Sequence, residues 1–195
     1  MKILTTLFVA LGALSASALD LTPSFAEVSS DGVTIRRPYF TDGGKKYSVT
    51  INAETEVTQC DEGALFRFIK LKNAEMRLRP SPCSVEIKFE PETLDSYEAV
   101  ARKLLPQVAE GVALEQQTGN PLPINGWEGH RFVYTYSTPA GQVRESITFL
   151  NILPAHQVIV QIYAPAKEFS DASERGFDII RRWHELDTAL VLRGN

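Results

Sequence analysis

The chain has little of what most catalytic and nucleic-acid-binding proteins display in their sequences. It contains three histidines, two cysteines and two tryptophans among 195 residues, and its formal net charge is −4. A mildly acidic chain lacks the clustered excess of Lys and Arg that neutralises phosphates, which argues against nucleic acid as a partner. Hydrophobic residues make up 44% of the chain, enough for one domain to bury a core.

No catalytic, cofactor-binding or metal-ligating motif is present. The histidines, His130, His156 and His184, lie far apart, and His184-Glu185 lacks the second histidine of a zinc-binding helix. The sequence has no Gly-x-Ser-x-Gly elbow. We therefore predict no catalytic residue, no cofactor and no metal, and interpret the histidines as surface or edge residues. A Ser/His/Asp triad assembled in space stays open as an alternative, because triad residues need not be neighbours in sequence.

The two cysteines, Cys60 and Cys83, are spaced as a structural pair and not as a redox motif, which would need a Cys-x-x-Cys spacing. In an oxidising compartment such a pair is expected to form a disulfide. The closed loop would contribute roughly 3 kcal/mol in the chain-entropy model.

Residues 1–18 read as a secretory signal peptide. Lys2 precedes a short apolar run, and Ala16-Ser17-Ala18 gives a cleavage site of small residues. The run is too short to span a membrane, no cysteine follows it to carry a lipid, and no later run approaches spanning length. The sequence thus predicts a periplasmic or secreted protein with a single domain at residues 19–195, of which 19–31 form a mobile lead-in.

The C-terminal half contains three apolar-patterned runs, at residues 131–137, 143–150 and 157–163. Their β-branched and aromatic residues are typical of strands. In the second run, every second residue points to the same face of the predicted strand: Val143, Glu145, Ile147 and Phe149. The turn residues between the runs predict an antiparallel meander.

A helix is predicted to close this meander. Phe177, Ile180 and Trp183 fall on one side at helical spacing, with a polar set opposite: Asp178, Arg181, Arg182 and Glu185. Asp171 followed by Glu174 resembles a capping box, and Ser170 competes as the cap.

The N-terminal half repeats the order of strands followed by a helix. The predicted strands are residues 32–36, 46–51, 64–71, 75–79 and 84–89. Gly43-Gly44 favours a hairpin turn over a phosphate-binding loop, because the P-loop spacing is absent. A helix is predicted from Thr93 to Gly111, with Pro106 kinking or terminating its last turn, and a further strand at 112–118. This order indicates an α+β architecture.

The segment Asn125-Gly-Trp-Glu-Gly-His-Arg-Phe-Val-Tyr-Thr-Tyr136, with the two following strands and the closing helix, resembles the second half of PsbP-like domains. The helix from Thr93 and the strand at 46–51 resemble the first half. The resemblance implies an α+β fold with an antiparallel sheet of about six to eight strands packed by two helices. Because PsbP-like proteins mostly bind other proteins, it also implies a binding module, with no contact residue to carry over.

Two features are candidates for contact with a partner. Arg67, Arg77 and Arg79 lie in a predicted hairpin that also carries Lys70 and Lys72, although a solvated surface is the stronger explanation for these charges. Trp127 is either a core residue or an anchor for a partner.

From these features we predict an exported, non-enzymatic protein-binding module of the bacterial periplasm, in one form an immunity or chaperone-like protein for a secreted effector. The alternative is a small periplasmic hydrolase whose triad is assembled in space.

Overall fold

The computed structural model describes residues 19–30, 33–122 and 125–186. The predicted signal peptide at residues 1–18 lies outside the described residues. In chain order the elements are β1 (Asp20–Ser30), β2 (Val33–Asp42), β3 (Lys45–Ser48), β4 (Thr55–Cys60), β5 (Gly63–Phe68), β6 (Glu75–Pro80), α1 (Pro91–Leu104), β7 (Glu110–Gly119), β8 (Gly129–Thr138), β9 (Gly141–Leu150), β10 (Val158–Pro165), α2 (Phe169–Arg181) and β11 (His184–Glu185). Neither described helix is long and apolar enough to cross a membrane.

The described strands form two antiparallel sheets, and the larger, with seven strands, matches the predicted sheet of about six to eight strands. The larger sheet has the order β4-β5-β6-β10-β9-β8-β7, and the smaller has the order β1-β2-β3-β11. The meander predicted in the C-terminal half is confirmed, because β8, β9 and β10 pair in succession. Two helices pack on these sheets, which confirms the predicted α+β class.

Helix α2 covers one face of the seven-stranded sheet. Phe177, Ile180 and Trp183, predicted to share its apolar side, are each at most 7% exposed. The predicted polar set is exposed: Asp178, Arg181, Arg182 and Glu185. The Trp183 ring stacks on Phe40 and Tyr47 of the four-stranded sheet, with centroid distances of 5.4 and 5.9 Å. The core on this face, the α2-side core, therefore lies between both sheets and α2.

The first turn of α2 begins earlier than predicted. Its first residue is Phe169 and its N-cap is Glu168. The Glu168 N–H donates to the Pro165 carbonyl at 2.9 Å, so the turn that leaves β10 leads directly into the helix. The predicted cap at Asp171 or Ser170 is wrong, because both residues already lie inside the first turn.

Helix α1 covers the opposite face. Thr93 occupies the third helical position, where its Oγ1 accepts the Glu90 N–H at 3.2 Å. The helix ends at Leu104 because Pro106 has no N–H to donate and its ring crowds the preceding turn. The predicted continuation to Gly111 is wrong, since that residue belongs to β7.

The core on this face, the α1-side core, consists mainly of aromatic rings. Its buried members are Tyr97, Ala101, Phe132, Tyr134, Tyr136, Val143, Ile147, Phe149 and Ile159. The period of two in β8 and β9 supplies most of them, as the sequence predicted. The seven-stranded sheet is thus apolar on both faces and separates two cores.

Two sequence predictions about the first half are wrong. Residues 20–30 form β1, paired with β2, where a mobile lead-in was predicted. Residues 84–89 form turns instead of a strand. Of the alternating apolar residues, Phe89 packs its ring on Tyr97 at 4.8 Å, whereas the Ile87 side chain is exposed and only its carbonyl accepts the Tyr97 hydroxyl, at 2.8 Å.

The predicted hairpin at Gly43-Gly44 is confirmed. The two glycines join β2 to β3 with φ angles of 58° and 79°, a left-handed pair that a two-residue turn requires.

The predicted disulfide is not shown, since both cysteines are free and partly buried. Cys60 ends β4, whereas Cys83 follows β6 and packs against the α1-side core.

Candidate functional site

A cavity of about 500 Å³ opens on the α1 side of the seven-stranded sheet. Three parts of the chain enclose it: the sheet face, the segment that follows α1, and the turn between β8 and β9. The lining residues are Glu75, Arg77, Glu145, Gln161 and Tyr163 from the sheet, Leu104, Pro106 and Val108 from the end of α1, and Thr138, Pro139 and Ala140 from the turn. Because Pro106 ends α1 here, the helix stops short of this part of the sheet and leaves the space open.

Glu145 forms the floor of the cavity. It lies on the apolar face of β9 and is only 1% exposed. The Tyr136 hydroxyl donates to its Oε2, and the Gln161 amide donates to its Oε1. Burial raises the pKa of Glu145, while these two donors and the more distant Arg77 and Arg79 oppose the rise.

The groups beside Glu145 are uncharged phenols. Tyr163 and Tyr134 lie opposite Glu145 on the two neighbouring strands. Burial raises the pKa of Tyr134 to about 12 and also raises the pKa values of Tyr136 and Tyr163. These hydroxyls keep their protons near neutral pH, and the Tyr136 hydroxyl donates its proton in a hydrogen bond to Glu145.

The side-chain oxygen of Gln161, at the floor of the cavity, is an acceptor without a hydrogen bond among the described residues. The Nε2 of Gln161 donates to Glu145 and, at 3.3 Å, to the Leu104 carbonyl. Its Oε1 is buried and has no hydrogen-bond partner among the described residues. A buried polar atom without a partner costs free energy unless a ligand or water satisfies it, so the floor is suited to receive a donor.

The three arginines predicted to contact a partner lie on this same face of the sheet. In register, Arg77 lies opposite Gln161 and Arg79 opposite Ile159, while Arg67 lies opposite Glu75. Arg77 bonds Glu75 through Nε and Nη2 at 3.0 and 2.6 Å. Carboxylates therefore interrupt the predicted basic surface.

Acidic partners also neutralise the ends of that surface. Arg79 pairs with Glu62 at 2.9 Å, and Lys70 pairs with Glu54. The structure brings Arg77 into the cavity lining and leaves Arg67 exposed beside it.

Trp127 lies elsewhere. It is partly buried and packs against the α2-side core. The neighbouring Asn125 side chain donates to the Arg181 carbonyl at 3.0 Å, which ties this loop to the end of α2. The structure does not bring Trp127 together with the three arginines.

The histidines do not assemble a catalytic set. His130 is 6% exposed among aromatic rings and pairs with strands on both sides, so its predicted place at the surface or at an edge is wrong. Burial lowers its pKa. His156 Nδ1 lies 2.8 Å from Asp42 Oδ1, and His184 Nδ1 lies 2.7 Å from the Arg182 carbonyl oxygen. Within the described ranges, no serine hydroxyl bonds to any of these rings, and no group of three potential metal ligands occurs.

Ionisation of Glu145 is expected to weaken the fold as the pH rises. Its pKa in the folded protein lies above the ordinary value of 4.5, so its contribution to stability is present below that pH and is lost as the pH rises through the raised pKa. Glu145→Gln should remove this pH-dependent loss of stability. Urea unfolding of the wild type and of Glu145→Gln between about pH 4 and pH 8 measures the free energy of unfolding of each.

The exposed Glu174 provides the matched control. Glu174→Gln should follow the wild-type dependence of unfolding free energy on pH. Parallel curves for wild type and Glu145→Gln would show that Glu145 is not held in the buried state described here.

No protein-family model and no curated protein matches the chain. Among solved structures, cyanobacterial PsbP from Synechocystis matches with a TM-score of 0.53 at 11% identity, over 81% of this chain and 98% of that one. LpqN from Mycobacterium tuberculosis, which is involved in cell envelope biogenesis, matches with a TM-score of 0.49 at 9% identity, over 72% of this chain and 83% of that one. The likeness to cyanobacterial PsbP confirms the PsbP-like fold predicted from the sequence.

Proposed function

We propose that this PsbP-like protein is an exported, non-enzymatic module that binds a protein partner in the bacterial periplasm. The observation that carries the proposal is the cavity over Glu145. Its walls are largely apolar, its floor holds a few convergent polar groups, and its volume lies within the usual range for binding sites. Among the described residues, no serine, cysteine, histidine or aspartate lines it.

The lining favours binding over hydrolysis. A hydrolase of the alternative kind needs a nucleophile within hydrogen-bond reach of a base. The Thr138 hydroxyl instead donates to the Gly141 carbonyl at 3.1 Å within its own turn. The nearest arrangement to a triad, His156 with Asp42, does not belong to the cavity lining.

The surroundings of the cavity suit a protein partner. Val108 is 61% exposed at its edge. Charged side chains of both signs lie farther along, with Arg67 and Arg79 on the same sheet face and Glu62 in the turn between β4 and β5. An apolar centre with a charged rim is the usual anatomy of a protein interface. Arg67, Arg77 and Arg79 are the proposed rim contacts.

Trp127 is a second proposed contact, on the α2 side of the sheet. Export rests on the signal-peptide pattern of residues 1–18. An immunity or chaperone-like role for a secreted effector is one form of this function.

Capture from a periplasmic extract tests the proposal. The immobilised protein, lacking residues 1–18, should retain one protein in stoichiometric amount. Val108→Arg places a long charged side chain at the cavity edge and should weaken the complex at least tenfold, which is about 1.4 kcal/mol or more.

Ile35 is the matched control, since it is 46% exposed on the other sheet. Ile35→Arg should leave the complex intact. Failure to retain any protein in stoichiometric amount, or equal weakening by both substitutions, would contradict the proposal.

A further inference from the structure

We infer that the cavity receives a basic side chain of the partner, an arginine or lysine whose aliphatic stem lies against the apolar walls and whose cationic head meets Glu145 and Gln161. This inference rests on the proposed function and specifies the chemistry that the partner presents.

The floor is rich in acceptors. Each carboxylate oxygen of Glu145 accepts one bond, from Tyr136 or from Gln161. An ionised carboxylate has about four lone-pair sites, so two remain. Together with the unpartnered Oε1 of Gln161, they form a set that a donor with several N–H groups would satisfy. Ammonium and guanidinium groups carry only donors.

The charges around the cavity also favour a cationic ligand. Of the three carboxylate and guanidinium groups in the lining, Glu75 and Arg77 neutralise each other at 2.6 Å. The neighbouring Arg79 is engaged by Glu62 at 2.9 Å. Glu145 is the acid left without a cation in direct contact.

The other elements packed against Glu145 do not supply that cation. Strands β8 and β10 present the phenols Tyr134, Tyr136 and Tyr163. Helix α1 presents Arg102, which lies over the Tyr134 ring but bonds Glu98 at 2.7 Å. A cation from outside would complete the charge balance at this floor.

The walls match the stem of a basic side chain. Leu104 and Pro106 face the cavity from one side, and Pro139 and Ala140 from the other. Long basic side chains place their methylene groups along such apolar surface while the charged head reaches polar groups. The chain's formal charge of −4 also favours the approach of a basic surface.

Binding should release a proton. Burial raises the pKa of Glu145 in the unliganded protein, and a cation in contact with the carboxylate would lower it again. Between the two values the group is protonated when free and ionised when bound. A ligand recognised only by its shape would not produce this effect.

The probe is the tripeptide acetyl-Ala-Arg-Ala-amide, with acetyl-Ala-citrulline-Ala-amide as a neutral isostere. The side-chain amide resonances of Gln161 in ¹⁵N-labelled protein report binding at the floor. We expect the arginine peptide to bind at least tenfold more tightly than the citrulline peptide. Calorimetry in two buffers of different ionisation heat should show proton release.

Three variants, one of them a control, separate recognition from folding. Glu145→Gln should lower affinity for the arginine peptide at least tenfold and abolish proton release. Val108→Arg should weaken binding at a position that is exposed and so leaves the core unchanged, while Ile35→Arg should not. If Glu145→Gln fails to fold, the Val108 and Ile35 pair still decides the outcome.

Equal affinity for the two peptides, or no shift of the Gln161 amide with either, would overturn the inference. The proposed function would still stand if a protein complex formed and Val108→Arg disrupted it. Failure to capture any protein partner would overturn both the proposed function and the inference that rests on it.

Discussion

Ile180→Ala is expected to lower the free energy of unfolding by about 2–5 kcal/mol. The Ile180 side chain is fully buried in the α2-side core, between the seven-stranded sheet and the four-stranded sheet. Its removal leaves a cavity at the contact that holds α2 on the sheet. Phe177→Ala, one turn earlier on the same side, should have an effect of similar size. Chemical denaturation followed by circular dichroism measures both.

Arg182→Ala provides the control, because Arg182 is exposed immediately after the helix. Surface substitutions of this kind usually change stability by less than about 0.5 kcal/mol. Equal destabilisation by Ile180→Ala and Arg182→Ala would mean that the helix presents a different face to the sheet.

Phe149→Ala is expected to lower the free energy of unfolding by about 3–5 kcal/mol, the usual range for truncating a buried phenylalanine. Phe149 is fully buried at the centre of the α1-side core, where its ring meets Tyr97 at 4.9 Å and Phe132 at 6.2 Å. Loss of the ring would remove the main contact between α1 and the sheet. The exposed Lys103 on α1 offers a control, and Lys103→Ala should change stability little.

The decreases in unfolding free energy caused by Phe149→Ala and Ile180→Ala should be nearly additive in the double variant. Phe149 and Ile180 lie in different cores, on opposite faces of the sheet, and distant sites usually add within about 0.5 kcal/mol. A strong departure from additivity would contradict the separation of the two cores by the sheet.

Elements with a complete apolar period were predictable from the sequence, and elements held by distant contacts were not. The alternation in β8 and β9 and the helical spacing of Phe177 and Ile180 each specify which face meets a core. β1 has weak alternation, and its backbone is ordered by pairing with β2. Residues 84–89 show the reverse case, since their apolar residues alternate but no strand pairing follows, and only Phe89 packs its ring on Tyr97.

The candidate site was only partly visible in the sequence. The alternation in β9 already places Glu145 among apolar neighbours on one face of its strand. A charged residue at such a position indicates a buried polar site. Gln161 carries no such signal, because its role depends on the register between β9 and β10. The cavity itself depends on where α1 stops relative to the β8–β9 turn, which no local pattern encodes.

The cysteine pair shows a different limit. Sequence spacing and an oxidising compartment favour a bridge between Cys60 and Cys83, whereas both cysteines are free here. Whether two thiols meet depends on the tertiary placement of each, which their spacing in the sequence does not reveal.

The most direct test of the proposed binding function is hydrogen exchange of the captured complex, compared with the protein alone. Partner binding at the cavity should slow exchange at residues 104–109 and 138–142, which wall and border it. Slowed exchange confined to other surfaces, such as residues 125–129 around Trp127 or the outer strand β7, would contradict the assignment of the cavity as the binding site.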